Sequence, residues 1–170
     1  LVNNGASQAN STMQVSMAGD ATVGGVFRMD LNNVSTVPGG LNGNGFNLTK
    51  VGTNCISLFN NSTNVFTNNL GNIAVNAGDL RIQNGSLLTI DPAKTITVAN
   101  GATLELNNLW IRAATTNALT LQNGSCLYGT GGTGTNVSGT FTNVQANIYA
   151  GTISLNGSDV FDVSTNSVLR

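Results

Sequence analysis

The chain has 170 residues, enough for one domain with a sizeable core, and only 8% of them are charged while 40% are hydrophobic. That apolar content excludes disorder, and six Lys+Arg scattered singly among seven Asp+Glu leave no basic patch for nucleic acid or an anionic membrane surface. Histidine is absent, which removes the commonest general base and metal ligand; the expectation is no catalytic residue, no cofactor, no metal, and no enzyme.

Taken in chain order, apolar residues alternate with polar ones in short runs, the period of half-buried strands. Met13, Val15 and Met17 make the first run, and Phe27, Met29 and Leu31 the second. Ile56 with Leu58, Ile73 with Val75, Leu80 with Ile82, Ile96 with Val98, and Leu104 with Leu106 follow. Leu119 with Leu121, Ile153 with Leu155, and finally Val160, Phe161 and Val163 complete the series. Asn-Gly, Ala-Gly or Asp-Pro interrupts each run, and 27 Asn with 21 Gly supply turns where most proteins carry Lys and Glu. No segment keeps helical spacing for three turns, and no apolar run approaches the roughly 18 residues of a membrane span, so neither helices nor membrane insertion is expected.

The runs repeat. Val75-Asn76-Ala77-Gly78, Val98-Ala99-Asn100-Gly101, Leu121-Gln122-Asn123-Gly124 and Ile148-Tyr149-Ala150-Gly151 share one pattern. The step from Gly78 to Gly101 equals the step from Gly101 to Gly124, and the step on to Gly151 is slightly longer. Gly52 joins these four as a repeat-turn glycine. A constant period with a strand on each side of a small turn is what a parallel β-helix needs, because each coil must return to the same place one strand spacing further on. The fold predicted is therefore all-β, a single-stranded parallel β-helix (β-solenoid) forming one domain over 1–170, with about seven coils of roughly 23 residues. An antiparallel sandwich also uses Asn-Gly turns, but would not repeat the flanking residues. The glycine-rich stretch from Gly129 to Ser138 is expected to be a loop inserted into the longest period, and residues 1–31 a donated or capping strand segment.

One stretch resembles a known family. Gly43-Asn44-Gly45-Phe46-Asn47-Leu48-Thr49-Lys50-Val51-Gly52, then Ile56-Ser57-Leu58, Phe66-Thr67, and Gly71-Asn72-Ile73-Ala74-Val75-Asn76-Ala77-Gly78-Asp79-Leu80 are similar to the autotransporter-associated β-strand repeat of secreted bacterial passenger proteins. The match covers under a quarter of the chain; Asn54 stands where the family prefers Gly, Phe66 where it prefers Tyr, and Ile73 where it prefers Thr. The resemblance implies a right-handed coil on an exported or surface-displayed protein, and it transfers no catalytic residue.

Other motifs are weighed against plain structural roles. The run Gly129-Thr130-Gly131-Gly132-Thr133-Gly134 fits a dinucleotide fingerprint in letters, but no helix follows it, and a loop is favoured. Asp159 and Asp162, as a glycosidase pair, would point to opposite faces of a strand. Lys50 and Lys94 are read as exposed lysines in preference to an isopeptide partner of Glu105. Trp110, Tyr128 and Tyr149 are read as corner residues before a sugar-stacking face. The pairs Thr95 with Thr97 and Thr140 with Thr142 do not recur coil after coil, as an ice-binding array would need. Cys55 and Cys126, separated by about three coils, would sit roughly 14 Å apart and stay as two separate buried thiols.

The functional expectation is a structural subunit of an extracellular bacterial fibre or surface layer. Its partner would be a second copy of the chain, added head to tail by strand-edge stacking or strand donation, because neither terminus carries a recognisable cap. Met13, Val15, Met17, Phe27, Met29, Leu31, Val168 and Leu169 are the expected assembly interface. An adhesin or glycan-binding passenger segment at the cell surface is the alternative.

Overall fold

A computed structural model of the chain describes residues 1–11, 15–32, 41–60, 66–84, 86–87, 91–109, 116–130 and 149–163. Among the described residues eighteen strands run in chain order. The first coils hold β1 (Val2–Asn3), β2 (Ala9–Ser11), β3 (Val15–Ser16), β4 (Ala21–Gly25), β5 (Met29–Asn32) and β6 (Leu41–Asn42). The middle holds β7 (Leu48–Lys50), β8 (Cys55–Asn60), β9 (Phe66–Thr67), β10 (Ile73–Val75), β11 (Asp79–Asn84) and β12 (Ser86–Leu87). The last coils hold β13 (Thr95–Val98), β14 (Thr103–Asn107), β15 (Ala118–Gln122), β16 (Cys126–Thr130), β17 (Ile153–Asn156) and β18 (Val160–Val163).

All pairings among the described residues are parallel, and the strands sort into two seven-stranded sheets. The first has the order β1-β4-β7-β10-β13-β15-β17 and the second β18-β16-β14-β11-β8-β5-β2, while β9 with β12 and β3 with β6 form two short side sheets. A chain that visits one sheet, turns a corner, visits the other and then returns beside its previous pass is a parallel β-solenoid. Strand neighbours are therefore separated by a whole coil in sequence, which only parallel stacking of successive coils produces.

The register measures the coil. In the first sheet Leu48, Ile73, Ile96 and Leu119 face one another in succession. In the second, Ile56, Leu80, Leu104 and Leu127 do the same at almost the same spacing. Uniform coils of about 24 residues thus run for about four turns, not the seven expected. Outside that stretch the step changes, being slightly shorter from Val2 to Gly24 and from Ala9 to Met29 and longer elsewhere. Ala21 reaches Leu48 by a somewhat longer step, and the partners of Leu119 and Leu127 in the next coil are Ile153 and Phe161, well past where a uniform coil would place them. Gly129 and Thr130, expected to open an inserted loop, belong instead to β16; the rest of that stretch falls in residues 131–148, which with Thr140 and Thr142 lie outside the described residues.

Alternation turns every second residue inward, and stacking turns those residues into columns. Met29, Ile56, Leu80, Leu104 and Leu127 form one, Leu31, Leu58, Ile82 and Leu106 the next, and all nine are buried. Burying one such side chain is worth about 1.5–3 kcal/mol, so the columns supply the main stabilisation.

The corners explain the glycine and asparagine content. Gly52, Gly78, Gly101 and Gly124 take φ between +66° and +81°, a conformation cheap only for residues without a Cβ. Gly151 does not belong with them. The lengthened coil shifts the phase, so Gly124 donates its N–H to Ser158, and Gly151 instead lies so close to the Asn117 backbone that a Cβ would overlap the Asn117 carbonyl. At the opposite corner, side-chain oxygens climb the stack: Asp20 accepts from the Asn47 N–H at 2.9 Å, Asn47 from Asn72 at 2.8 Å, and Asn72 from Thr95 at 3.0 Å. Each side chain satisfies a backbone donor one coil further on, a task suited to an uncharged amide that repeats along the stack.

Candidate functional site

The outward face of the second sheet brings together three charged residues, Asp79, Arg81 and Glu105. In β8, β11 and β14 the inward positions are aliphatic, so Cys55 and Ser57, Asp79 and Arg81, and Thr103 and Glu105 point outward. Register sets Asp79 between Cys55 and Thr103, and Arg81 between Ser57 and Glu105. Arg81 Nε donates to Glu105 Oε2 at 2.7 Å, and Arg81 Nη2 lies 4.0 Å from Asp79 Oδ2. Asn107 Nδ2 donates to the other Glu105 oxygen at 3.2 Å. Glu105 keeps only 3% of its side-chain surface exposed.

Two carboxyls and one guanidinium in a half-dry site cannot all hold charge at low cost. Burial, together with the neighbouring Glu105 carboxylate, pushes Asp79 up to about 7. The Cys55 thiol is pushed far above its ordinary range, first by burial and then by the adjacent Asp79. Burial alone would lower Arg81, but the surrounding acids outweigh it and the guanidinium is held more firmly charged. Asp79 is therefore the acid of the cluster whose charge is disfavoured, while Arg81 and Glu105 form a close ion pair. Cys55 Sγ, an Asp79 carboxylate oxygen and a Glu105 carboxylate oxygen all lie within 4.8 Å of one another. Sequence reasoning gives none of these four residues a role in a site. The signal that finds them is the coil length: one coil step carries Cys55 to Asp79 and Arg81 to Glu105.

A second feature is Lys50, which the sequence reading places on the surface and the structure places wholly inside. It lies in the inward column between Val23 and Val75, where its aliphatic stem packs among neighbours. The ammonium uses all three of its donors on backbone carbonyls, Val51 at 2.8 Å, Gly52 at 2.9 Å and Ala77 at 2.9 Å. Burial lowers its proton affinity, and the nearby Asp79 charge opposes that shift. The side chain ties two successive coils together at their corner and is not a reagent. Lys94 lies 3.7 Å from Asp91, while Glu105 is held by Arg81, so the isopeptide pairing has no geometry.

The remaining nominated residues fall at the ends or inside. Met17, Met29 and Leu31 belong to the core and are not available as an exposed interface; Val15 is half-buried and Phe27 exposed. Met13, Val168, Leu169 and Trp110 lie outside the described residues, as do 131–134 of the glycine run. Cys55 and Cys126 are free thiols three strand steps apart, Cys55 facing Asp79, Asp79 facing Thr103 and Thr103 facing Cys126, and both are half-buried, not fully buried as expected. Asp159 accepts a 3.2 Å hydrogen bond from Ser125, whereas Asp162 sits exposed on β18 opposite Tyr128. The buried Tyr149 hydroxyl donates to the Asn117 carbonyl at 2.8 Å, a structural role. On the first sheet, register lines Thr22, Thr49, Ala74, Thr97, Thr120 and Ser154 into one outward column, five hydroxyls interrupted by Ala74 and invisible in sequence because the coils differ in length.

Among the described residues β1 and β2 have a strand on one side only, and so do β17 and β18. Leu1 is 59% exposed at one end, and Leu155 and Phe161 are 53% and 48% exposed at the other. Comparison with known proteins finds no matching family model, no matching curated protein and no matching solved structure.

Proposed function

We propose that the chain is a structural module of an extracellular fibre or surface layer that grows by adding solenoid coils end to end, the next coils coming from a second copy. The observation that carries this reading is the continuity of the columns. Extending the β1–β4 register by one residue puts Leu1 in the column of Val23, Lys50, Val75, Val98, Leu121 and Leu155. Ala9 begins the column that ends in Phe161. A copy translated along the axis therefore sets Leu155 against Leu1 and Phe161 against Ala9, and it pairs β17 with β1 and β18 with β2 in the same parallel sense. Exposed edges with apolar columns favour such augmentation, and a head-to-tail contact that does not close gives a filament. The stretch resembling the autotransporter-associated repeat supports export and display, and the low charge suits a stack in which any charge would be repeated against itself.

Electron microscopy and sedimentation of the purified chain at micromolar concentration test the proposal. Long uniform filaments that disappear in Phe161→Asp are expected. A dispersed 17.4 kDa particle at every concentration would overturn self-assembly, and stabilisation of that monomer by glycans would favour a passenger-type adhesin instead.

A further inference from the structure

The outward polar cluster of the second sheet carries more chemistry than a fibre module needs. Cys55, Asp79 and Glu105 come from three successive coils, each on a rigid parallel strand, and each offers one ligand atom to a common point. We propose that these three side chains bind one zinc-class divalent cation, an ion that takes a thiolate together with carboxylates.

The geometry meets the needs of such a site. A point central to three atoms no more than 4.8 Å apart lies at most about 2.8 Å from each; closing to the usual 2.0–2.3 Å of zinc bonds takes shifts of roughly 0.5–0.8 Å, within rotamer adjustment. Asp79 Oδ1 is buried and has no hydrogen-bond partner, an orphaned acceptor on a residue whose carboxylate lies within 4.8 Å of both other ligand groups. Glu105 is fixed from outside the triangle by Arg81 at 2.7 Å and Asn107 at 3.2 Å, the outer hydrogen bonding that orients a ligating carboxylate. Each carboxylate oxygen has a second lone pair, so these bonds leave Glu105 able to ligate. Cys55 and Asp79 are only half-buried, which gives the ion a path in and leaves room for a water ligand.

Charge also balances. Three anionic ligands, the Arg81 cation and a divalent ion sum to zero. On binding, the Cys55 S–H bond breaks, its proton and any proton on the Asp79 carboxyl pass to solvent, and sulfur and oxygen donate their electron pairs to the metal with no change of oxidation state. The soft sulfur selects zinc or cadmium over calcium or magnesium. Each ligand lies about one coil beyond the last in sequence, which is why no metal-type spacing marks them. This site does not depend on whether the chain forms fibres.

The test uses the whole chain, stripped with a chelator and titrated with CdCl2 or ZnCl2. One equivalent of cadmium is expected to raise a thiolate-to-metal ultraviolet band, lost in Cys55→Ser, kept in Cys126→Ser and weakened at least tenfold in affinity in Asp79→Asn. On the unmutated chain, zinc should slow alkylation of Cys55 at least tenfold while leaving Cys126 unchanged, a readout that survives if a variant misfolds. No band at millimolar cadmium, equal protection of both thiols, or equal competition by calcium would each overturn the site.

Discussion

The middle coils and the end coils use the same residue types at the same positions and come to opposite fates. Leu121 and Leu127 are fully buried, whereas Leu155 and Phe161, the next members of their two columns, are about half exposed. Among the described residues the middle positions have a stacked strand on both sides and the end positions on one side only. In a solenoid a side chain is buried by the coils above and below it, so stability is a sum over adjacent pairs and falls off where the stack stops.

The sharpest way to break that comparison is a matched pair of truncations. Leu104→Ala should cost about 2–5 kcal/mol, the range for a large-to-small change in a packed core, and Phe161→Ala about 1 kcal/mol or less in the dispersed chain. Urea denaturation of both variants decides it, and equal losses would mean that the ends are as well packed as the middle. The same experiment in the assembled state sharpens it: if copies stack, the Phe161→Ala cost should rise toward that of a middle coil.

Lys50→Met tests the polar element of the interior. Methionine keeps the stem but removes the three donors, leaving three buried carbonyls unsatisfied, and a loss of about 2–4 kcal/mol is expected in the same denaturation assay. A neutral result would show that water replaces the ammonium at that corner.

The acid pair should give the smallest and most distinctive effect. Asp79 has its folded-state proton affinity raised, to about 7 against an ordinary 3.8, so the folded chain binds more protons than the unfolded chain between those values. Its contribution is therefore full below about pH 4 and is lost as pH rises through about 7, the reverse of an ordinary ion-paired aspartate. With chelator present, the chain should lose about 1–3 kcal/mol between pH 5 and pH 8, discounted for the partial exposure of Asp79, and Asp79→Asn should flatten that profile. A rise in stability over the same interval would mean that Arg81 dominates and Asp79 stays ionised.

Much of the architecture is legible because it depends on local rules. Ile56 with Leu58, Leu80 with Ile82 and Leu104 with Leu106 announce strands by alternation, and Gly78, Gly101 and Gly124 announce a repeating corner that only φ > 0 satisfies. Lys50 misleads because its charge outweighs the alternation that, from Leu48 through Thr49, already points it inward. Gly151 misleads because glycine spacing stands in for the coil, whereas strand register runs on from Leu119 to Ile153 and from Leu127 to Phe161, a longer step than the one between the glycines.

By itself, then, the sequence determined that the chain coils in parallel with short strands and glycine corners, since a column of aliphatic side chains needs the same phase in every turn. Only the tertiary structure decided how many turns keep that phase and which polar residues meet on the outside. A single extra residue in a coil moves a strand's side chains to the other face, so Cys55, Asp79, Arg81 and Glu105 become neighbours through coil lengths that must be right to the residue, a property no local pattern records.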